Sequence, residues 1–423
     1  MRYAASVPRG LAWLSIVPAI IGCGPDATPP PVIDSDAKSA VVDAQSAIRP
    51  VTSGNLPPLF DRASHVPGSS ADWTSLQVAL DRNLQWLRGR PKQRSYSYGE
   101  RQVSVEELLR ALTEVRGWLD EEPSPEVFAS RVVQTFEVVE SVGRAGTSPG
   151  ERGVLVTGYY EPEIEASPRR SRDYSVPIYG PPGGLIRADL GQWSDDWRGR
   201  RIAGLLRGGR LVPFPDRAAL REDPILRGRE IAWARDEVDL FFLEIQGSGR
   251  LRYPDGTVRR VGYAGANGRT YRSIGKLLID EGAIPRQQMS MQSLRKWLAE
   301  NPEHIRRVLD FNQSVVFFRF LSGEPVGNLG FPVTPGRSVA VDQSLLPPGG
   351  FGFLVTDLPK PSAGGGSVVE GPLTRFVLAQ DTGGAIRGAD RADFFWGPGE
   401  EAAARAGVMK QPGRLLFFLP RTP

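Results

Sequence analysis

Three aspartates sit where the chain leaves an extended stretch, and each is placed for acid–base work. The segment Gln380-Asp381-Thr382-Gly383-Gly384-Ala385-Ile386-Arg387-Gly388 follows an apolar run, Phe376 to Ala379. Its paired glycines allow backbone to approach a ligand or another strand closely. Asp393 lies among aromatics in Ala392-Asp393-Phe394-Phe395-Trp396-Gly397. Such surroundings desolvate a carboxyl and raise its pKa, and an acid kept protonated near neutral pH is what glycosidic-bond cleavage requires. Asp342 closes the extended stretch Val339-Ala340-Val341-Asp342. Taken singly, each acid also has an ordinary reading. Asp381 and Asp342 could cap their own turns, and Asp390 and Asp393 could be solvated.

Other chemistries fit these residues less well. Asp381-Thr382-Gly383 after an apolar strand is also the aspartic protease pattern. That reaction needs two carboxylates sharing a proton, and the chain carries one such loop, so a protease would have to be a symmetric dimer. Three acids could hold a hard cation, but the cation would keep the acid ionised. The two histidines, His65 and His304, lie far apart, and Cys23 is the one cysteine. A His/Cys zinc site and an internal disulfide are thereby set aside, and the expectation is no metal and no cofactor.

A second group of residues suits sugars. Tyr159, Tyr160 and Glu161, then Gln246, Ser248, Tyr263, Asn267 and Tyr271, are polar and aromatic residues near glycines. Aromatic faces cover the apolar side of a pyranose, and amides and hydroxyls pair with its hydroxyl groups. Each could equally close a turn.

The elements that must position these residues are mainly strands. Three amphipathic helices are expected first, at Trp73 to Leu87, at Ser104 to Leu119 behind the capping box Ser104-Val105-Glu106-Glu107, and at Ser124 to Val142. Strand texture follows at Gly153 to Pro162 and Ile231 to Ile245, and Tyr253-Pro254-Asp255-Gly256 marks a hairpin within Leu251 to Tyr263. Helical spacing returns at Ser293 to Asn301 and His304 to Leu309. Strands close the chain at Ser314 to Phe320, Ser338 to Val341, Phe351 to Val355, Thr374 to Gln380 and Arg414 to Leu419, with Gly364-Gly365-Gly366 as a loop. Because strand texture resumes on both sides of residues 163–310, that stretch reads as an inserted domain. The 48 glycines and 37 prolines of the 423 residues agree with many short strands.

The N-terminus reads as an address. Arg2 and Arg9 precede an apolar run, Gly10 to Gly22, that is too short to span a bilayer and ends Ile20-Ile21-Gly22-Cys23. Residues 1–22 are thus expected to be a lipoprotein signal, Cys23 the lipidated residue, and 23–55 a flexible tether rich in Pro, Ala, Ser and Asp. A net charge of +4 is compatible with an anionic polymer, and the scattered arginines give no support to a nucleic-acid partner.

Taken together, these motifs resemble the membrane-bound lytic murein transglycosylase A family. The matching stretches are Thr157 to Pro162, Tyr174 to Tyr179, Glu244 to Gly249, Asn267-Gly268, Tyr271 to Gly275, Met289 to Gln292, Val316 to Arg319 and Gln380 to Gly397. The last is the three-aspartate (3D) segment, whose acids correspond to Asp342, Asp381 and Asp393. The resemblance covers nearly all of the chain from about residue 57, apart from a longer Ser362 to Gly371 loop. It implies a double-psi β-barrel built from 56–162 and 311–423, a smaller β-barrel inserted at 163–310, and a substrate groove between them. It further implies cleavage of the β-1,4 bond between N-acetylmuramic acid and N-acetylglucosamine with formation of a 1,6-anhydromuramoyl end. Asp393 would be the general acid and base, with Asp381 supporting it and Asp342 a structural acid behind them. Tyr159, Glu161, Gln246, Ser248 and Asn267 would line the groove. The implied partners are peptidoglycan glycan strands, the outer membrane through the Cys23 lipid anchor, and cell-wall synthesis or hydrolysis complexes. The implied location is the periplasmic face of the outer membrane. A non-catalytic peptidoglycan-binding lipoprotein of the same fold stays open at this point, because folds do not fix functions.

Overall fold

The computed structural model describes residues 47–61, 73–142, 153–197, 201–324, 326–362, 367–383 and 386–421. The signal segment, Cys23 and the Gly364-Gly365-Gly366 tract lie outside the described residues.

The chain opens with β1 (Ile48–Pro50), α1 (Thr74–Arg88), the hairpin of β2 (Ser95–Tyr98) and β3 (Arg101–Ser104), α2 (Val105–Asp120), α3 (Pro125–Thr135) and β4 (Phe136–Ser141). Strand β5 (Val154–Glu161) follows. A middle section carries β6 (Glu163–Ser167), β7 (Val176–Tyr179), β8 (Leu185–Asp189), β9 (Arg201–Arg207), β10 (Arg210–Pro213), α4 (Arg217–Leu220), β11 (Glu230–Ala234), α5 (Glu237–Gln246), β12 (Ser248–Arg252) and β13 (Val258–Ala266). It continues through α6 (Ile274–Asp280), α7 (Met291–Glu300), α8 (Ile305–Phe311) and β14 (Val316–Leu321). The last section holds β15 (Ser338–Ala340), β16 (Phe351–Pro361), β17 (Ser367–Asp381), β18 (Arg391–Pro398), α9 (Glu400–Ala406) and β19 (Lys410–Pro420).

Strands β19, β16, β17, β15, β18 and β5 pair in that order, and β5 pairs back onto β19, so the ring closes into a barrel. Two of the six pairs in the ring are parallel (β15 with β17, β18 with β5) and the other four are antiparallel. The first residues of β19 pair with β5, and its last residues pair with β4, which β1 extends. Closure leaves those six strands without a free edge. Phe376 stands in the middle of the core, with its ring 4.8–6.4 Å from those of Trp73, Phe128, Phe351, Phe353 and Phe418. Helices α1, α2 and α3 cover this core from one side. α2 begins at the expected capping box, in which Ser104 and Glu107 bond each other's backbone N–H.

The middle section enters between β5 and β15 as a second sheet, ordered β14-β13-β12-β6-β11-β7, whose edge strands β14 and β7 lie against each other. The expected hairpin forms between β12 and β13. The molecule is therefore mainly β, a closed six-stranded barrel with an inserted sheet and added helices.

Four sequence expectations are corrected here. Ile231 to Ile245 is a strand only as far as Ala234 and then becomes α5. Asp236 caps the backbone N–H of Val238 and Asp239, and Gly247 ends the helix at φ 76°. The run Leu240-Phe241-Phe242-Leu243 is buried all round, and such a run carries no period from which to choose helix or strand. The helix expected over Ser124 to Val142 stops at Thr135, because Phe136–Ser141 is claimed by β19. The boundary at residue 310 places Val316–Leu321 in the outer domain, but β14 pairs with β13, and Phe318 is buried in the core of the inserted sheet.

The fourth concerns the tether, which does not stay free to residue 55. Ile48–Pro50 joins the barrel sheet, and Arg414 donates to Asn55 O at 3.0 Å. Just beyond, Asp61 lies between two buried arginines, 2.5 Å from Arg337 Nη1 and 3.2 Å from Arg375 Nη1. Burial lowers the Arg375 pKa to about 10, with Arg337 adding repulsion and Asp61 opposing both. Removing Asp61 strands two buried cations. We expect Asp61→Ala to lose about 3–5 kcal/mol of stability in urea denaturation, whereas Asp280→Ala, at an exposed Lys276 pair, should change it by less than about 0.5 kcal/mol.

Candidate active site

Barrel closure brings two of the three aspartates onto neighbouring strands. The short strand β15 runs between β17 and β18, and Ala340 is the register partner of Asp381 on one side and of Asp393 on the other. Paired residues of adjacent strands project to the same face, so both carboxylates emerge on one side of β15, about 10 Å apart at Cα across two strand spacings. Beyond β18, Asp393 is in register with Thr157 of β5. Alternate residues of β5 then face this group. Thr157 stands beside Asp393, and Tyr159 donates from its hydroxyl to Asp381 Oδ2 at 3.0 Å. The Tyr159 ring leans on Phe395, 4.9 Å between centroids. Burial drives the Tyr159 pKa well above its ordinary value, and the charges of Asp381 and Asp393 add to the effect.

The two acids differ in how well they are satisfied. Asp381 accepts from three donors: Tyr159, and the backbone N–H groups of Asn328 and Thr382, both at 2.9 Å to Oδ1. Burial raises its pKa, and these three donors pull it back. Gly327 lets the loop close on Asp381, since a Cβ there would meet Gln380 O at 2.9 Å and Val333 Cγ1 at 2.7 Å. Gln343 ties the same loop, accepting from Asn328 Nδ2 at 2.5 Å and donating to Asp381 O at 3.2 Å. Asp393 is different. Its Oδ1 is buried with no hydrogen-bond partner. Burial raises its pKa from 3.8 to about 6; Thr157 and Arg391 oppose that rise and Asp381 adds to it. Arg391 also acts on Tyr271, which stands just before α6.

The other residues singled out in the sequence fall in several places. Asp342 is buried and braces the loops behind the site. It accepts from Ser344 N at 3.1 Å, Ser344 Oγ at 2.6 Å and Gly388 N at 3.0 Å. Gln246, at the end of α5, accepts from Tyr160 N at 3.3 Å, and Ser248 starts β12; both are partly exposed. Glu161 and Asn267 do not line a surface, which corrects the expectation for both. Glu161 is buried and pairs with Arg260 at 3.0 Å, burial raising its pKa and Arg260 opposing. Asn267 is fully buried and spends its whole amide on backbone, donating to Pro215 O and Gln313 O and accepting from Arg269 N and Val315 N. Sequence reasoning missed Thr157 and Arg391. The two-residue spacing of Thr157 and Tyr159 on one strand was the available signal. Among the described residues, no group of three or more His, Cys, Asp or Glu side chains could hold a metal ion.

The chain is similar in sequence and fold to known proteins. The family described as the MltA specific insert domain matches residues 155–319, the span from β5 to β14, and the 3D domain matches 337–419. The membrane-bound lytic murein transglycosylase A of Vibrio cholerae is 30% identical over 321 residues, 74% of this chain and 76% of that protein. Its Escherichia coli (strain K12) counterpart is 35% identical over 265 residues, 62% of this chain and 64% of that protein, so the match spans less than two thirds of that relative. A membrane-bound lytic murein transglycosylase solved from Agrobacterium tumefaciens superposes with TM-score 0.68 at 32% identity, covering 89% of this chain and 98% of that one. An E. coli MltA structure with bound chitohexaose gives TM-score 0.61 at 25% identity, covering 86% and 96%.

Two outcomes follow from the burial pattern. The folded state binds the Asp393 proton more tightly than the unfolded chain, so the stability this confers is complete below about pH 4 and is lost as pH rises through about 6. Asp393→Asn should therefore stabilise the protein by about 1–3 kcal/mol at pH 8 and by nothing near pH 4, compared by thermal melting at the two pH values. Asn267→Ala should act on folding, costing about 2–3 kcal/mol in urea denaturation, because one buried and three part-buried backbone groups lose their partner.

Proposed function

Because the chain belongs to the membrane-bound lytic murein transglycosylase A family, we propose that it is a lytic transglycosylase of peptidoglycan, cutting the β-1,4 bond between N-acetylmuramic acid and N-acetylglucosamine. The observation that carries this reading is the inequality of the two acids. Asp381 is held by three donors, while Asp393 has a buried, unpartnered oxygen and a pKa near 6. The relative with bound chitohexaose supports a β-1,4-linked glycan as ligand.

In the proposed reaction Asp393 gives its proton to the glycosidic oxygen as the bond from that oxygen to the anomeric carbon breaks. Negative charge at Asp381 stabilises the positive charge that develops on the sugar. The C6 hydroxyl of the same muramic acid attacks the anomeric carbon, and its proton passes to the Asp393 carboxylate. The acid is regenerated, a 1,6-anhydro ring is formed, and no water enters the balance. An intramolecular nucleophile carries a high effective molarity, so a second carboxylate nucleophile is not required. Tyr159, Gln246 and Ser248 are our candidates for glycan contacts. The lipobox-like sequence at Cys23 supports anchoring at the outer membrane facing the periplasm, which would hold the protein beside its polymer for cell-wall turnover.

Digestion of purified sacculi with product identification by mass tests the reading. We expect muropeptides with anhydro ends, one water lighter than hydrolysis products. Asp393→Asn should lower the rate at least about a hundredfold, and kcat/KM should hold below about pH 6 and fall above it as Asp393 ionises. Reducing ends would instead mean a hydrolase, and sacculus binding without turnover would mean a binding module.

A further inference from the structure

Two buried polar atoms at the site lack partners and sit on residues in register across a strand pair. Asp393 Oδ1 on β18 and Thr157 Oγ1 on β5 are both inaccessible and both without a hydrogen bond. Unsatisfied buried groups are uncommon, and two together ask for an explanation. The β5 backbone has little freedom there. Thr157 is laddered to Asp393 on one side and to Lys410 of β19 on the other. At the next residue, a Cβ on Gly158 would meet Trp396 Nε1 at 2.6 Å and Ala406 Cα at 2.9 Å, so the strand packs too tightly to slide. What is left to adjust is side-chain torsion, at Thr157 and at Asp393 itself.

We propose that Thr157 is a positioning residue for Asp393, its hydroxyl turning to donate to the carboxylate once Asp393 has given up its proton. This rests on the reaction proposed above and deepens it. While Asp393 is protonated, its proton is directed at the glycosidic oxygen, and the Thr157 hydroxyl is not needed. After transfer the buried carboxylate has lost its proton in a site that disfavours charge, and a hydroxyl beside it offsets that cost until the C6 proton arrives. Tyr159, two residues along, does the same permanently for Asp381. One strand face would thus serve both acids, one by a standing hydrogen bond and one by a bond made during the reaction. The Thr157 hydroxyl lies near enough to Asp393 to favour its ionised form when it turns toward the carboxylate, in company with Arg391 and against Asp381. Tyr159 feels the Asp393 charge from the same face of β5. Ala340 of β15 brings no charge, and Lys410 on β19 is exposed.

The test is a carbon-13 NMR titration of the Asp393 carboxyl in the full chain, assigned by its loss in Asp393→Asn, alongside sacculus digestion. Thr157→Val keeps the shape of the side chain and removes the donor. It should move the Asp393 titration, and the alkaline limb of kcat/KM, upward by about half a pH unit or more and lower kcat about tenfold, the loss of one hydrogen bond to a charged group. Thr157→Ser should restore all three. An unchanged titration in Thr157→Val, or the same upward shift in Thr157→Ser, would overturn the proposal. If valine impairs folding, the serine and alanine variants make the same comparison. A shifted carboxyl in a protein whose parent form makes no anhydro products would leave the contact standing and sink the reaction instead.

Discussion

The site depends on one ladder position. Ala340 pairs with Asp381 on one side and Asp393 on the other, so the spacing of the two acids is set by backbone hydrogen bonds and not by side-chain preference. A strand of three residues could not hold that place alone. It is held because β17 and β18 are themselves fixed by a closed ring, and because Asp342 and Gln343 tie the loops on either side. Barrel closure, which looks like a matter of stability, is thus what gives the two strand-borne acids a fixed backbone separation.

Within that frame, satisfaction is distributed unequally, and the inequality carries a cost. Three donors make Asp381 a good anion site. Asp393 receives none at Oδ1, and burial holds its pKa near 6. Folding stability alone would favour filling that position with an amide or pairing it with a donor. An environment that pushes two nearby carboxyls to different protonation behaviour is the usual way one site obtains both an acid and a charge stabiliser.

Local signals in the sequence were legible where one physical effect dominated. The capping box at Ser104 and the hairpin at Tyr253 to Gly256 announce themselves within a few residues. Asp393 was readable as a desolvated acid, although along β18 only Phe395 of its three aromatic neighbours shares its face. Reading failed where the deciding partner is distant in sequence. Phe136–Ser141 continues a helical pattern and becomes a strand because β19 offers a ladder almost three hundred residues on. Asn267 resembles a sugar-binding residue in composition, yet its amide is consumed by backbone from two distant segments, at Pro215 and at Gln313 to Val315. Thr157 carries no unusual neighbour in sequence, and its meaning comes only from being in register with Asp393.

The spacing also bears on which reaction the site can run. A retaining pair needs its carboxyls about 5 Å apart. Acids on strands two apart begin about 10 Å apart at Cα, and their carboxyl separation is then set by how the two side chains lean. An inverting pair tolerates about 6.5–9.5 Å, with a water held by the second carboxylate. Asp381 is the more heavily committed of the two acids, since its oxygens already accept from Tyr159, Asn328 and Thr382. In the proposed reaction Asp381 stays an anion and Asp393 alone moves protons. A site with a single working carboxyl needs a nucleophile that arrives with the substrate, which is what the C6 hydroxyl of the muramic acid supplies in the proposed reaction.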